Sequence, residues 1–142
     1  MPTQAWLGIG SLLEFYDNVS TWYNIIECTT LKGPTTKRAV VDVTNHNSAS
    51  QTREYINGLI DPGSMTFTAN WVVADPSQNS TTGYRAVFNN GTRYSWRILL
   101  SNPTANVVSF SGLAISISSD LPVDKQATFE GEVKITGPVT VV

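Results

Sequence analysis

Two stretches in which apolar and polar residues alternate stand on either side of a polar segment near the middle of the chain. The first reads RAVVDVT, over residues 38–44, and the second reads SMTFTANWVV, over residues 64–73. A period of two residues is typical of a strand that buries one face. The apolar row of the second stretch is Met65, Phe67, Ala69 and Trp71. We therefore predict two strands, separated by an unusually long inter-strand loop over residues 45–63.

Four further segments have the alternation and composition of strands, and a turn signal with Gly, Pro or Asn follows or precedes each of them. They are residues 22–31, 92–100, 107–119 and 126–136. The last alternates strictly and is expected to end at Gly137-Pro138. About six strands with a single helix predict a mainly β protein, an antiparallel β-sandwich or half-barrel with one short α-helix and a long inter-strand loop.

Residues 80–90 have a helical rather than a two-residue period. The apolar residues at that spacing are Tyr84, Val87 and Phe88. Ser80 or Thr81 is expected to cap the N-terminus of this helix, because a hydroxyl oxygen can accept the free N–H groups of the first turn. Gly91 is expected to end it, because glycine adopts the left-handed conformation of a helix C-cap.

A chain of 142 residues is expected to fold as one domain over residues 1–142, with a core that needs no disulfide or metal. Residues 1–20 lack clean periodicity and are predicted to form an N-terminal arm with at most a short helical turn. Residues 137–142 are predicted to form a short C-terminal tail. No secretion signal or membrane-spanning run is predicted, and the single Cys28 fits synthesis in a reducing cytoplasm.

Charged residues make up only 14% of the chain, whereas about a quarter is usual. Ser, Thr and Asn fill the difference, which suits strands with a hydroxyl-rich outer face and equally suits a subunit that copies of itself cover. The net charge is −2, from 9 basic and 11 acidic residues, without a basic cluster. This composition argues against sequence-independent binding of nucleic acid, which depends on Lys and Arg neutralising phosphates.

No group of residues predicts a catalytic, cofactor-binding or metal site. Cys28 and His46 are each the only residue of their type, and they fall in different predicted elements, although a Cys–His nucleophile needs contact and a third orienting group. Together they supply too few ligands for tetrahedral zinc. Glu130 and Glu132 share one face of a strand, where two acids are usually solvated. We therefore expect no cofactor and no enzymatic activity.

The aromatic residues raise one competing interpretation. They include Trp6, Trp22, Trp71, Trp96, Tyr84 and Tyr94. Exposed aromatic rings on a small β-sandwich can stack on sugars, so a carbohydrate-binding module is an alternative. Trp71 and Trp96 have apolar or alternating neighbours, which favours packing in the core.

Several blocks in the same order resemble one family over nearly the whole chain, most weakly over the first 20 residues. The blocks are VVDVTNHNS, REYINGLIDPGSMTFTANW, YRAVFNNGTRYSWRILL and FSGLAISISSDLPVDKQATFEGEVKITGPVTV. In these blocks the chain resembles the tail tube proteins, or major tail proteins, of bacteriophages with long, non-contractile tails. A tube subunit of a contractile tail, a secretion needle or a gene-transfer particle is a related alternative.

The resemblance implies a structural virion protein rather than an enzyme. Members of this family form hexameric rings in which each subunit contributes strands to a continuous inner β-barrel. The rings stack into a tube that grows from the tail tip on a tape-measure protein, ends at a terminator protein and conducts the genome at ejection. The implied partners are therefore other copies of the chain, the tape-measure, tail-tip and tail-terminator proteins, and DNA that passes without specific binding. Assembly is expected in the host cytoplasm.

Within this picture the sequence predicts two functional surfaces. The strand pairs within residues 38–73 and 107–136 are expected to line the lumen, with their apolar rows in the core and their polar rows facing the channel. The proposed lumen-facing residues are Asp42, Thr66, Thr68, Asn70, Ser116, Ser118, Thr128, Glu130, Glu132 and Lys134. The loop over residues 45–63 is expected to contact the next ring. Its proposed contact residues are Arg53, Glu54, Tyr55 and Asp61.

Overall fold

The computed structural model describes residues 2–142 and contains, within them, nine strands, one α-helix and one 3₁₀ turn over Ala49–Gln51. The strands are β1 Leu12–Tyr16, β2 Trp22–Asn24, β3 Cys28–Lys32, β4 Lys37–Asp42, β5 Tyr55–Asp61, β6 Ser64–Asn70, β7 Tyr94–Leu99, β8 Val107–Asp120 and β9 Thr128–Val141. The helix α1 is Tyr84–Asn90. No helix in the described part is long and apolar enough to cross a bilayer.

Seven of the strands form one antiparallel sheet in the order β2-β1-β7-β8-β9-β6-β3, and β4 and β5 form a separate antiparallel pair. The two edge strands, β2 and β3, are neighbours in sequence, so the sheet curls back towards its own beginning without closing. The backbone N–H of Ile25 donates to the carbonyl of Leu13 at 2.9 Å, which extends the pairing of β1 with β2 by one residue. The prediction of a mainly β, antiparallel fold with one short helix is confirmed.

The predicted single strand over residues 22–31 is two strands on opposite sides of the sheet. The chain turns at Ile25–Glu27, where Glu27 has a left-handed φ of 55° and the side chain of Ile25 enters the core. The apolar alternation continues through this turn, which is why the pattern alone indicates one uninterrupted strand.

One face of the curled sheet forms the core. Its largest buried side chains are Leu13, Phe15, Met65, Phe67, Trp96 and Val133. The predicted apolar row of β6 is confirmed for its three residues inside the strand, while Trp71 lies beyond the end of β6, half-buried beside Arg85. Trp96 also packs in the core, as predicted. Tyr84 and Tyr94 are buried as well, so three of the aromatic residues that a sugar-binding surface would need exposed are covered.

Helix α1 covers part of this core and begins later than predicted. Its N-cap is Gly83, rather than Ser80 or Thr81. The side chain of Asn79 accepts the backbone N–H groups of Thr81, Thr82 and Gly83 at 2.8–3.1 Å, so these residues form a turn before the helix. The predicted C-cap is confirmed, since Gly91 has a φ of 66°.

Residues 45–63 are not simply a loop. They contain β5, which pairs with β4 to form a β-hairpin, and only residues 43–54 at its tip lack strand structure. Consequently β4 is not the sheet partner of β6, which lies between β9 and β3. A register shift opposite Gly58 interrupts the alternation of β5, so the sequence pattern conceals this strand.

Both chain ends are more ordered than predicted. Residues 12–16, predicted as part of the arm, form β1, which pairs with β2 and β7 and buries Leu13 and Phe15. Strand β9 continues past Gly137-Pro138 to Val141, because a register irregularity accommodates these two residues, and the predicted tail pairs with the start of β8. The predicted arm therefore applies only to the residues before Leu12.

Candidate assembly surfaces

A mostly polar surface, with the exposed Leu113 beside Lys134 as an apolar member, covers the outer face of β8, β9 and β6. These strands are adjacent, and the register brings nine of the ten predicted lumen residues together on this face. One cross-strand row contains Ser116, Glu132 and Thr66. The next row contains Ser118, Glu130 and Thr68. We call this surface the polar face.

The tenth predicted lumen residue, Asp42, lies elsewhere. It belongs to β4 of the hairpin, where its carboxylate accepts a hydrogen bond from Arg53 Nη1 at 3.0 Å. Hydrogen bonds from the hydroxyl and the backbone N–H of Thr44, and then the one from Arg53, lower the pKa of Asp42 below its usual value. Asp42 therefore does not share the polar face with the other nine residues, because β4 pairs with β5 and not with the seven-stranded sheet.

Strand β3 adds two residues to the polar face that the sequence analysis missed. Thr30 lies opposite Thr68, and Lys32 lies opposite Thr66. The alternation of Thr30, Leu31 and Lys32 indicates in the sequence that the two polar residues share a face. That this strand lies beside β6 depends on tertiary structure. Lys32 lies in the same cross-strand row as Glu132, and Lys134 follows Glu132 along β9, so both lysines lie close to an acidic residue of the polar face.

The other half of the sheet carries an ion pair under an aromatic ring. Arg97 Nη2 on β7 lies 2.6 Å from Glu14 Oε1 on β1, and the Arg97 guanidinium is 4.0 Å from the centre of the Trp22 ring on β2. The Glu14 side chain is only 12% exposed. The cluster therefore joins three strands, and it occupies one face of the Trp22 ring.

The polar face is bounded by two strand edges to which no described strand is hydrogen-bonded. The ladder between β7 and β8 ends at the pair Tyr94–Gly112, so residues 113–120 of β8 pair only with β9. On the other side, β3 pairs only with β6. Unpaired edges of this kind are templates for pairing with another chain.

The β4–β5 hairpin extends away from the sheet and exposes apolar side chains on both of its faces. Val41 and Ile56 are paired on one face, while Val40 and Tyr55 lie on the other. Seven large apolar residues of the hairpin are exposed: Val40, Val41, Val43, Tyr55, Ile56, Leu59 and Ile60. So many exposed apolar side chains on one short hairpin are typical of a surface that another protein covers.

The four predicted ring-contact residues all belong to this hairpin, but they do not form one cluster. Arg53 pairs with Asp42, and Glu54 accepts a hydrogen bond from Ser48 Oγ at 2.6 Å. Tyr55 is exposed on one face. Asp61 lies at the base, where the backbone N–H of Gly63, followed by Lys134 at 3.6 Å, lowers its pKa.

A cavity of about 620 Å³ lies where the sheet fails to close, between β3 and the strands β7 and β8. Its apolar lining includes Leu31, Ile98, Leu100 and Val108, and Trp6 with residues 8–11 of the arm forms one wall. Cys28 also lines it, and burial raises the pKa of its thiol to about 11. A thiol of that pKa is protonated and weakly nucleophilic at neutral pH.

The candidate catalytic and metal-binding residues of the sequence analysis are not grouped into a site in the described part of the chain. His46 lies in the hairpin tip, in a different element from Cys28. Among residues 2–142, no three His, Cys, Asp or Glu side chains are grouped as a metal site would require. Glu130 and Glu132 face the same side, each opposite hydroxyl residues of both neighbouring strands.

The family model described as "Lambda phage tail tube protein, TTP" matches residues 12–141, which is nearly the whole chain. No curated protein matches the chain in sequence.

Solved structures share the fold at low sequence identity. The tail of an empty gene transfer agent particle, refined with C6 symmetry, is 18% identical, with 97% of this chain and 99% of that chain covered and a TM-score of 0.77. The anti-feeding prophage baseplate is 14% identical, with 100% and 97% covered and a TM-score of 0.74. The SPP1 tail tube is 10% identical, with 95% and 77% covered and a TM-score of 0.68.

Proposed function

Since the chain belongs to the lambda phage tail tube protein family and is a tail tube subunit, we propose that six copies close into a ring and that the rings stack into the tail tube of a virion. The lumen of this tube conducts the genome during ejection. The six-fold number follows the C6 symmetry of the similar gene transfer agent tail. The role is structural, without catalysis or a cofactor.

The observation that carries this proposal is the pair of unpaired edges on either side of the polar face. Strands β8, β9, β6 and β3 alternate in direction, so β8 and β3 run in opposite directions. When β8 of one copy meets β3 of the next, the new pair is antiparallel and the alternation continues around the ring. Closure pairs both edges and removes a hazard of aggregation.

Six copies with four strands each form an inner barrel of roughly 24 strands. At about 4.8 Å between strands and a tilt of about 40°, its backbone diameter is roughly 45–50 Å. That width leaves an open channel after side chains are added. The polar face lines this channel, with its hydroxyl and acidic groups offering DNA few phosphate contacts. DNA therefore passes without specific binding.

The hairpin is the proposed contact between rings. It exposes more apolar area than the sheet does elsewhere, and it is long enough to reach beyond its own subunit at ~3.3 Å per residue. Growth of the stack on a tape-measure protein, from a tail-tip complex to a terminator protein, completes the proposed set of partners. A gene-transfer or contractile particle would use the same tube architecture.

Sedimentation velocity over a concentration series, combined with negative-stain electron microscopy, tests the proposal. We expect monomers at low concentration and rings or hollow tubes at high concentration, without any added cofactor. A chain that stays monomeric at every concentration and binds glycans on an array would instead support the carbohydrate-binding alternative.

A further inference from the structure

The loop between β6 and α1 carries polar side chains that are buried. Ser77 and Gln78 of this loop are 3% and 4% exposed, and within residues 2–142 they are the two buried non-aromatic residues with polar side chains. A polar group removed from water costs free energy unless a hydrogen bond replaces its contact with water. The hydrogen-bond partners of these two side chains therefore show which parts of the subunit the loop holds together.

The side-chain amide of Gln78 bridges two separate parts of the backbone. Its Nε2 donates to the carbonyl of Ile26 at 3.1 Å and to that of Asn70 at 3.0 Å. Its Oε1 accepts the N–H of Val72 at 2.7 Å. Both N–H groups of the amide are used and its oxygen also has a partner, whereas a carboxylate of the same shape cannot donate at all.

Ser77 completes the contact with Ile26. Its hydroxyl oxygen accepts the N–H of Ile26 at 3.3 Å, and the hydroxyl donates to Asp75 Oδ1 at 2.6 Å. The N–H and the carbonyl of Ile26 are therefore both bound by side chains of one loop. Ile26 lies in the turn at which the chain crosses from edge strand β2 to edge strand β3. The loop thus fixes the point from which β3 begins.

Strand β3 is a short edge strand with an irregular ladder. It has five residues, it pairs only with β6, and its register shifts between Cys28 and Thr30. The backbone N–H of Asn70 donates to the carbonyl of Glu27 at 3.0 Å, so this ladder starts beside the Asn70 carbonyl that Gln78 binds. Short strands at a sheet edge open locally with little free energy. Gln78 joins the start of β3 to the end of its one partner strand.

We propose that Gln78 is a positioning residue for assembly, and that its amide holds the start of β3 where β8 of the next copy pairs with this strand. The inference rests on the proposed closure of the ring through β8 and β3. Hydrogen bonds between strands weaken steeply when their distance or angle departs from the ideal. A β3 that opens or shifts at its start therefore weakens the contact between copies, even in a subunit whose core is intact.

Gln78→Met tests this role, because methionine has a similar length and no amide. The carbonyls of Ile26 and Asn70 then lose a donor, and the N–H of Val72 loses its acceptor. Variants of Phe15 control for lost stability, since this buried ring packs against Tyr23 on β2 and Trp96 on β7. Phe15→Leu and Phe15→Ala give a scale that relates the midpoint of urea unfolding to assembly.

At an equal urea midpoint, we expect Gln78→Met to need at least about tenfold more protein for tube formation than the Phe15 variants. Pelleting of tubes over a concentration series measures this threshold. Ser77→Ala keeps Gln78 and removes only the acceptor for the Ile26 N–H, so it should have a smaller effect in the same direction. It carries the test if Gln78→Met does not fold. Equal thresholds at equal midpoints would overturn the positioning role.

Hydrogen exchange of the monomer gives a second readout, which a general loss of stability does not reproduce. In Gln78→Met, amides of residues 28–32 should exchange at least about tenfold faster, while those of β7 change less. In Phe15→Leu, the amides of β7 should be affected at least as strongly as those of β3. Unchanged exchange of residues 28–32 in Gln78→Met would overturn the role of Gln78 alone, whereas absence of tubes from the unmodified chain would refute the proposed assembly itself.

Discussion

Tyr84 is the residue that joins the helix to the sheet. Its hydroxyl donates to the carbonyl of Ser116 at 2.8 Å and lies 3.1 Å from that of Glu132, and its ring packs edge-on against Phe67 at 4.9 Å. Gly131 makes this approach possible, because a Cβ there would lie 2.6 Å from the Tyr84 ring. A glycine in the middle of a strand is thus explained by a close approach of the ring.

Replacing Tyr84 by Phe should lower the free energy of unfolding by about 1–2 kcal/mol, because buried carbonyl groups lose a hydrogen-bond donor. Burial also raises the pKa of Tyr84, so the folded state keeps the phenolic proton where the unfolded chain loses it. The stability that the protonated Tyr84 hydroxyl contributes is fully present below the ordinary tyrosine pKa of about 10. It is lost as the pH rises above that value. Urea unfolding at about pH 8 and about pH 11 should therefore show a smaller alkaline loss in Tyr84→Phe than in the native chain.

Charge on the polar face should affect ejection more than assembly. In the double variant Glu130→Lys with Glu132→Lys, we expect a nearly normal yield of particles, because both side chains lie on the polar face outside the core, Glu130 exposed and Glu132 half-buried. Genome ejection should become slower and more dependent on salt, since lysines in the lumen would contact phosphates. The assay is ejection kinetics at two ionic strengths, with the exposed Asp124→Lys as the control. Unchanged kinetics at normal yield would place these glutamates outside the channel.

At the scale of elements, the β4–β5 hairpin is structurally separate from the sheet that it leaves. Its strands pair only with each other, and the Asp61–Lys134 ion pair is the one salt bridge among the described residues that links it to the sheet. The chain enters and leaves the hairpin side by side, because the backbone N–H of Thr35 donates to the carbonyl of Ser64 at 3.2 Å. Its removal should therefore leave the sheet intact.

Replacing residues 37–61 by a short Gly-Ser turn should retain the fold and abolish tubes. We expect an unchanged circular dichroism spectrum apart from the lost strands and an unfolding free energy within about 1 kcal/mol of the native value. Electron microscopy should show no tubes. As a control, replacing only the tip residues 45–52 by Gly and Ser should retain tubes, because the apolar strands remain. Loss of the fold in the larger deletion would show that the hairpin belongs to the core.

At the scale of the whole molecule, the subunit has a well-packed core and a periphery with unpaired strand edges and exposed apolar segments. Its core is filled by side chains from both halves of the curled sheet and from α1. Its unpaired edges, its hairpin and its arm are all at the periphery. Such a distribution lets a stable monomer carry the surfaces for assembly without depending on them to fold.

Hydrogen exchange should display this division. In the monomer, amides of β4, β5 and the unpaired edge over residues 113–120 should exchange rapidly, and those of β1, β7 and β9 slowly. On assembly, the first group should slow by more than about tenfold, because residues 113–120 pair with another copy and the hairpin is covered by the next ring. The second group should change little. Mass spectrometry of peptic fragments measures both states. Fast exchange of residues 113–120 in tubes would mean that this edge stays unpaired.

Local alternation in the sequence was sufficient to predict a mainly β fold, the apolar row of β6 and the polar row of β9. A two-residue period determines which side chains share a face, whatever the neighbouring strand. A helical period identified the helix, and the left-handed conformation that glycine adopts identified Gly91 as its C-cap. The family resemblance added the functional class, which periodicity by itself does not contain.

Strand partners were decided only by the tertiary structure. The sequence placed β4 beside β6, because both alternate and are close in the chain, but β5 competes successfully for β4. It also read residues 22–31 as one strand, although the turn at Ile25–Glu27 sends the two halves to opposite edges. The face on which a side chain lies follows from the local two-residue period. Strand pairing depends on contacts between residues distant in sequence, so the strand neighbours, the edges and the cavity of this subunit were decided only by the folded chain.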